Sequence, residues 1–222
     1  MFHRVTAVVA IASCSHIACS GPEWPEVGDA GSLPGTAQSV IGVGPLSKIS
    51  GQLEGVPPLP DRGLMGDFQD MYRIRINNPA AFFASTDLFL GGSSTFDSNL
   101  FLFTLDGRGL LANLGIGLSA TITSLSNDGS NAELVAPGEY YLAITGGLNV
   151  PVAGPEQIFS FLIPNEISGP DGPGGAFPIT DWAGPGQIGF YQIALQGAVF
   201  IPAPASLALL LLGACTCKRR RY

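Results

Sequence analysis

Glycine and proline punctuate this chain so densely that its apolar residues come only in short runs. They number 30 and 18 among 222 residues. Long helical periodicity is absent, and short apolar runs bounded by turn residues are the signature of strands. The pattern predicts an all-β fold, a jelly-roll-like β-sandwich of about eight or nine strands. Residues 48–53 form the first plausible strand, and Pro57, Pro58 and Pro60 make 55–66 a loop. Residues 71–76 alternate, with Tyr72, Ile74 and Ile76 on one side and Arg73 and Arg75 on the other. A further strand is expected within 81–90, closed by Gly91-Gly92. Residues 99–105 are apolar on both faces, as in a central strand, and Asp106-Gly107 turns them into 110–112 as a hairpin. Residues 118–125, 139–145 and 189–195 supply further strands, and 158–163 is a shorter candidate. The Gly/Pro-crowded stretch 164–186, around Phe177 and Trp182, reads as a long loop draped over the sandwich.

Both ends read as targeting segments. Met1-Phe2-His3-Arg4 is short and basic, residues 5–12 are apolar, and small residues run up to Gly21. That order is a secretory signal peptide over 1–20, with Ala18 and Ser20 before the cut. Cys19 offers a second reading as a lipidated first residue, although His16 stands where an aliphatic residue is expected. At the other end Pro202-Ala203-Pro204 forms a hinge. An apolar helical stretch follows, carrying Leu207, Leu209, Leu210, Leu211 and Leu212, and then a basic end with Arg219, Arg220 and Arg221. The apolar stretch is shorter than the roughly 20 residues of a comfortable span. Its basic end would stay on the cytoplasmic side. The expected organisation is therefore a signal helix at 1–20, an extended lead-in at 21–45, the sandwich at 46–200, and a sorting tail with a hydrophobic helix at 201–222.

The proline motif, leucine-rich stretch and basic end together resemble the PEP-CTERM sorting signals of exported bacterial proteins. Ala203 stands where that family carries glutamate. The resemblance implies export to the cell envelope or extracellular space and membrane association before processing. It also implies an exosortase-type membrane enzyme as the processing partner. A second resemblance spans roughly residues 46–197. It is carried by Gly66-Asp67-Phe68-Gln69-Asp70-Met71-Tyr72, by Asp97-Ser98-Asn99-Leu100-Phe101 with Asp106-Gly107, by Ala136-Pro137-Gly138-Glu139-Tyr140-Tyr141, and by Phe190-Tyr191-Gln192. In order, these are similar to bacterial pre-peptidase C-terminal domains. Such domains are jelly-roll sandwiches used for adhesion, matrix or carbohydrate contact, or maturation, and are often calcium-dependent.

Setting the two ends aside changes the available chemistry. All four cysteines and both histidines lie in them, so residues 21–200 have neither type. No Ser-His-Asp or Cys-His nucleophile can be assembled there, nor a zinc site of the usual kind. Five basic residues face all seventeen acidic ones, a formal charge of −12, which repels nucleic acid. What remains is oxygen chemistry, which suits Ca2+. Asp67 and Asp70 before a strand, and Asp97 and Asp106 around the central hairpin, are the candidate ligands, although Asp also favours turns for backbone reasons. Trp24, Trp182 and Phe177 form either an exposed binding patch or plugs on the core. The leading expectation is a non-catalytic exported envelope or matrix protein whose sandwich makes adhesive contacts with polysaccharide or other surface proteins. Two alternatives stay open: a calcium- or carbohydrate-binding accessory module of secreted enzymes, and a hydrolase using carboxylates alone.

Overall fold

The computed structural model describes residues 21–54, 56–59, 63–115 and 117–203. The expected signal peptide, Cys19, Pro204, and the leucines and arginines of the expected anchor lie outside the described residues. So do the two terminal helices expected there. Among the described residues no helix is long and apolar enough to cross a membrane.

The described residues are all-β, with two short 3-10 turns among them at Pro79–Ala81 and Leu88–Leu90. In order the strands are β1 Glu23–Pro25, β2 Gln38–Ser39, β3 Lys48–Leu53, β4 Val56–Leu59, β5 Gly63–Met65, β6 Gln69–Ile76, β7 Phe83–Ser85, β8 Ser93–Ser94 and β9 Ser98–Phe103. They continue as β10 Gly109–Leu114, β11 Thr121–Thr123, β12 Gly138–Gly146, β13 Val150–Ala153, β14 Glu156–Gln157, β15 Asp181–Ala183, β16 Gly189–Gln196 and β17 Ala198–Val199. Six of these have six residues or more and build the frame; the others are short additions to it.

Two six-stranded mixed sheets result. One runs β1-β3-β16-β7-β11 with β8 also on β16, and the other runs β10-β9-β12-β6-β17 with β2 also on β6. Period-two alternation turns Ile49 and Leu53 of β3, and Tyr191, Ile193 and Leu195 of β16, to one face. There they meet Tyr72, Ile74 and Ile76 of β6, Leu100 and Leu102 of β9, and Leu142 and Ile144 of β12 in one buried cluster. This is the core between the sheets.

The second sheet is covered on its other face as well. Met71, Phe101, Phe103, Ala112, Tyr141 and Ala143 project there into a second buried cluster with Val150, Ile158, Phe159 and Ile179. Trp182 closes it, with its ring centroid 5.4 Å from Phe101 and 6.2 Å from Phe103 and its indole N–H donating to the Ser32 carbonyl at 2.7 Å. Every side chain of β9 is buried for this reason. The draped loop expected over 164–186 is thus partly a strand: β15 pairs with β13, which also pairs with β14. Residues 158–163 form no strand; Ile158 and Phe159 instead plug this outer layer.

Three further expectations change. Within the stretch expected to be a loop, Val56–Leu59 and Gly63–Met65 pair as the hairpin β4–β5, antiparallel with a register shift between Val56 and Leu59, so Pro57 and Pro58 sit in an irregular two-stranded pair. The strand expected within 81–90 shrinks to β7, because Asp87 accepts from the Phe89 amide at 2.7 Å and turns the chain into a 3-10 segment closed by left-handed Gly91. The lead-in is integrated into the body. β1 adds in parallel to β3, β2 adds in parallel to β6, and Ala30 and Val40 are fully buried.

The double-sided burial of β9 makes Phe101 a sensitive position. Phe101→Ala is expected to cost about 3–5 kcal/mol in denaturant unfolding. Val43→Ala, at a residue 90 % exposed, should stay within about 0.5 kcal/mol. Equal midpoints for the two variants would contradict this layering.

Candidate functional site

The strand parity that buries Tyr72, Ile74 and Ile76 also turns Asp70 inward, where it is 0 % exposed. Its Oδ2 accepts a hydrogen bond from the Tyr191 hydroxyl at 2.5 Å, and the Tyr72 and Tyr191 hydroxyls are 2.5 Å apart. Tyr191 donates to the carboxylate, so Tyr72 donates to Tyr191. The other carboxylate oxygen, Oδ1, is buried and has no hydrogen-bond partner. That is a costly state for a charged group.

Two more carboxylates converge on it. Asp67, in the turn entering β6, accepts from the Gln69 amide at 3.4 Å, and Asp29 accepts from the Gly31 amide at 2.6 Å. One oxygen from each of Asp29, Asp67 and Asp70 lies within 4.8 Å of the other two. Glu26 stands beside them, held by the Ala30 and Gln52 amides at 3.0 Å each. A Cβ at Gly51 would overlap both the Glu26 carboxylate and the Tyr191 hydroxyl, so β3 needs glycine there to admit them. Clefts of about 680 Å³ and 450 Å³ open on either side, and Asp29 and Asp67 line both.

No described cation neutralises this group. The three ion pairs among the described residues are Lys48–Glu23, Arg73–Glu139 and Arg108–Asp106. Burial, and then the charge of Asp67, push the Asp70 carboxyl up to about 9. Burial and the charge of Asp29 push Asp67 up to about 6. Burial raises Glu26 as well, and it raises both tyrosine hydroxyls far above their ordinary range. Carboxylates grouped in this way can take up protons or a hard cation.

Of the four aspartates expected to ligate, Asp67 and Asp70 come together, whereas Asp97 and Asp106 do not join them. Asp97 lies just before β9, two strands from β6, with its amide donating to the Gln187 side chain at 2.9 Å. Asp106 sits beyond the far end of β9, bonded to Thr104 and, at 2.9 Å, to Arg108. The tryptophans are plugs: Trp24 packs edge-on against Phe200 and donates to Gln38. Phe177 is exposed. Asp29, Glu26 and Gly51 escape sequence reasoning because nothing in their spacing links the lead-in to β6. No protein-family model matches the chain, and no curated protein matches it either.

A carboxyl whose folded pKa is raised favours the native state while protonated, so stability falls as pH climbs from the unfolded value near 4 toward the folded one. In EDTA, the melting temperature is expected to decline from pH 5 to pH 9, and Asp70→Asn should flatten most of that decline. A melting temperature that rises over this window would contradict the assignment.

Proposed function

We propose that this chain is a non-catalytic exported protein of the cell envelope or extracellular matrix. On this reading its jelly-roll-like sandwich makes adhesive or polymer contacts, and its PEP-CTERM-like tail is processed by an exosortase-type membrane enzyme. The acidic end of the sandwich holds a hard divalent cation such as Ca2+. The observation that carries the reading is Asp70: fully buried, one oxygen unsatisfied, with Asp29 and Asp67 within ligand range. Three carboxylate oxygens supply part of the six to eight that Ca2+ takes, and water and backbone carbonyls complete such shells. The similarity to pre-peptidase C-terminal domains, and the calcium dependence it implies, agree with this.

Both ends of the described body are tied into it. Gly21 is tied to Ser47, whose hydroxyl donates to its carbonyl at 2.6 Å, and the Ile201 amide donates to Val40 at 2.8 Å. β17 pairs with the Ile76 end of β6. Asp70 lies at the other end of that strand, about 20 Å away at roughly 3.3 Å per residue. β17 runs antiparallel to β6, and Val40, which accepts from Ile201, itself donates to the Arg73 carbonyl, so the chain is level with the middle of β6 when it reaches Ile201.

Ca2+ at a hundredfold excess over its dissociation constant adds about 2.7 kcal/mol, which raises the melting temperature of a chain this size by about 5–10 °C. EDTA should reverse the rise, and Asp70→Asn should remove it. A melting temperature indifferent to Ca2+ at pH 7.5 would sink the cation reading.

Sorting has its own test. In a host with an exosortase-type enzyme, the full chain is expected to lose its C-terminal segment by mass spectrometry. Changing Pro202 and Pro204 to glycine should block that loss. Full mass retained with the native motif would overturn the sorting.

A further inference from the structure

The larger cleft has a floor as well as an acidic wall. On the outward face of the first sheet, Phe190 stands opposite Gln52, Gln192 opposite Ser50, and Ser93 opposite Gln192. Paired residues share a face, so these five side chains form one patch across β3, β16 and β8, about 10 Å wide at the usual strand spacing. All five line the 680 Å³ cleft. The side-chain hydroxyls and amides of Ser50, Gln52, Ser93 and Gln192 make no hydrogen bond to another described residue, while their backbones are committed to the sheet.

Phe190 is an apolar ring 62 % exposed amid these polar groups. Its backbone is clamped: its amide donates to the Thr95 hydroxyl at 2.9 Å, and its carbonyl accepts from the Thr95 amide at 3.0 Å. Gly189 before it has φ of +148°, and a Cβ there would overlap Thr95. The ring is thus a fixed platform rather than a loose surface residue. Rigid aromatic area with unspent amides and hydroxyls around it suits a ligand with one apolar face and a rim of hydroxyls.

The walls add a charge requirement. Exposed Asp29 and Glu54 stand at the mouth with Glu26 and Asp67, and no described Lys or Arg lines the cleft. Such a mouth repels uronate or sulfated polymers and attracts amines.

We infer that this cleft binds an oligosaccharide bearing free amines, of the glucosamine type, with a sugar ring on Phe190 and its amines toward Glu54. The inference rests on the polymer-contact reading above and names the polymer's chemistry. It does not depend on the cation.

The test is calorimetric titration of the full chain, in mild detergent, with a glucosamine hexamer. The arms are the N-acetylated hexamer, a uronate oligomer, spermidine and oligolysine. The glucosamine hexamer is expected to bind at least tenfold tighter than the N-acetylated one, with no uronate binding. Phe190→Ala and Gln192→Ala should each weaken it at least fivefold, while Phe177→Ala, at a residue 61 % exposed beside Ala153 of the layer over the second sheet, leaves it unchanged. Melting curves of the surface variants matching the native chain confirm that the loss is local.

Oligolysine or spermidine binding as tightly, with Phe190→Ala without effect, would overturn the saccharide assignment. Preference for the N-acetylated or uronate oligomer would overturn the amine requirement, and absence of binding to all would overturn both. Sugar binding without a Ca2+ response, or the reverse, separates failure of this inference from failure of the cation reading.

Discussion

The arrangement turns on a carboxylate placed where water does not reach. β6 lines the core between the sheets, and its inward parity is set by Tyr72, Ile74 and Ile76, all fully buried. Asp70 occupies the next inward position, so the packing that stabilises the strand also strips the carboxylate of solvent. Its surroundings answer that cost only in part. The Tyr191 hydroxyl, itself accepting from Tyr72, satisfies one oxygen, and glycine at position 51 makes space for Tyr191 and Glu26. The second oxygen needs a proton or a cation, because no described basic residue reaches it.

The lead-in is what completes the acidic end. It adds β1 to the edge of one sheet and β2 to the edge of the other, carrying Glu26 and Asp29 across between them. A segment whose carboxylates face Asp67 and Asp70 is held by backbone pairing against like-charge repulsion. Neutralising those charges therefore tightens the closure of the two sheets along this edge, so proton or cation occupancy and stability are one linked quantity. The same segment walls the larger cleft with Pro25, Glu26, Gly28 and Asp29.

Much of the frame was legible from local pattern. Residues 48–53, the alternation at 71–76, the two-faced apolar run with Asp106-Gly107, and the inward set Tyr191, Ile193 and Leu195 all reappear in the strands and core, since period and turn chemistry are local properties. The all-β class follows from the same signals. What was hidden depends on contacts between distant segments. β13 and β15 are short, proline- or glycine-flanked and recognisable only once paired. β1 and β2 have three and two residues, too few for any period to show. The acidic site was half visible: Asp67 and Asp70 sit at a strand entry, but Asp29 joins them only through the lead-in's crossing. Asp97 and Asp106 belong to the ends of β9, which topology sets apart from the β6 turn.

The central claim is that the buried cluster exchanges a proton for a cation, and proton counting during Ca2+ binding tests it most directly. Calorimetric titration at pH 7.5 in buffers of different ionisation enthalpy measures the protons released. With Asp70 protonated in the cation-free state, about one proton should leave per Ca2+ bound. Binding heat with no proton release, or no binding heat in any buffer, would contradict the account.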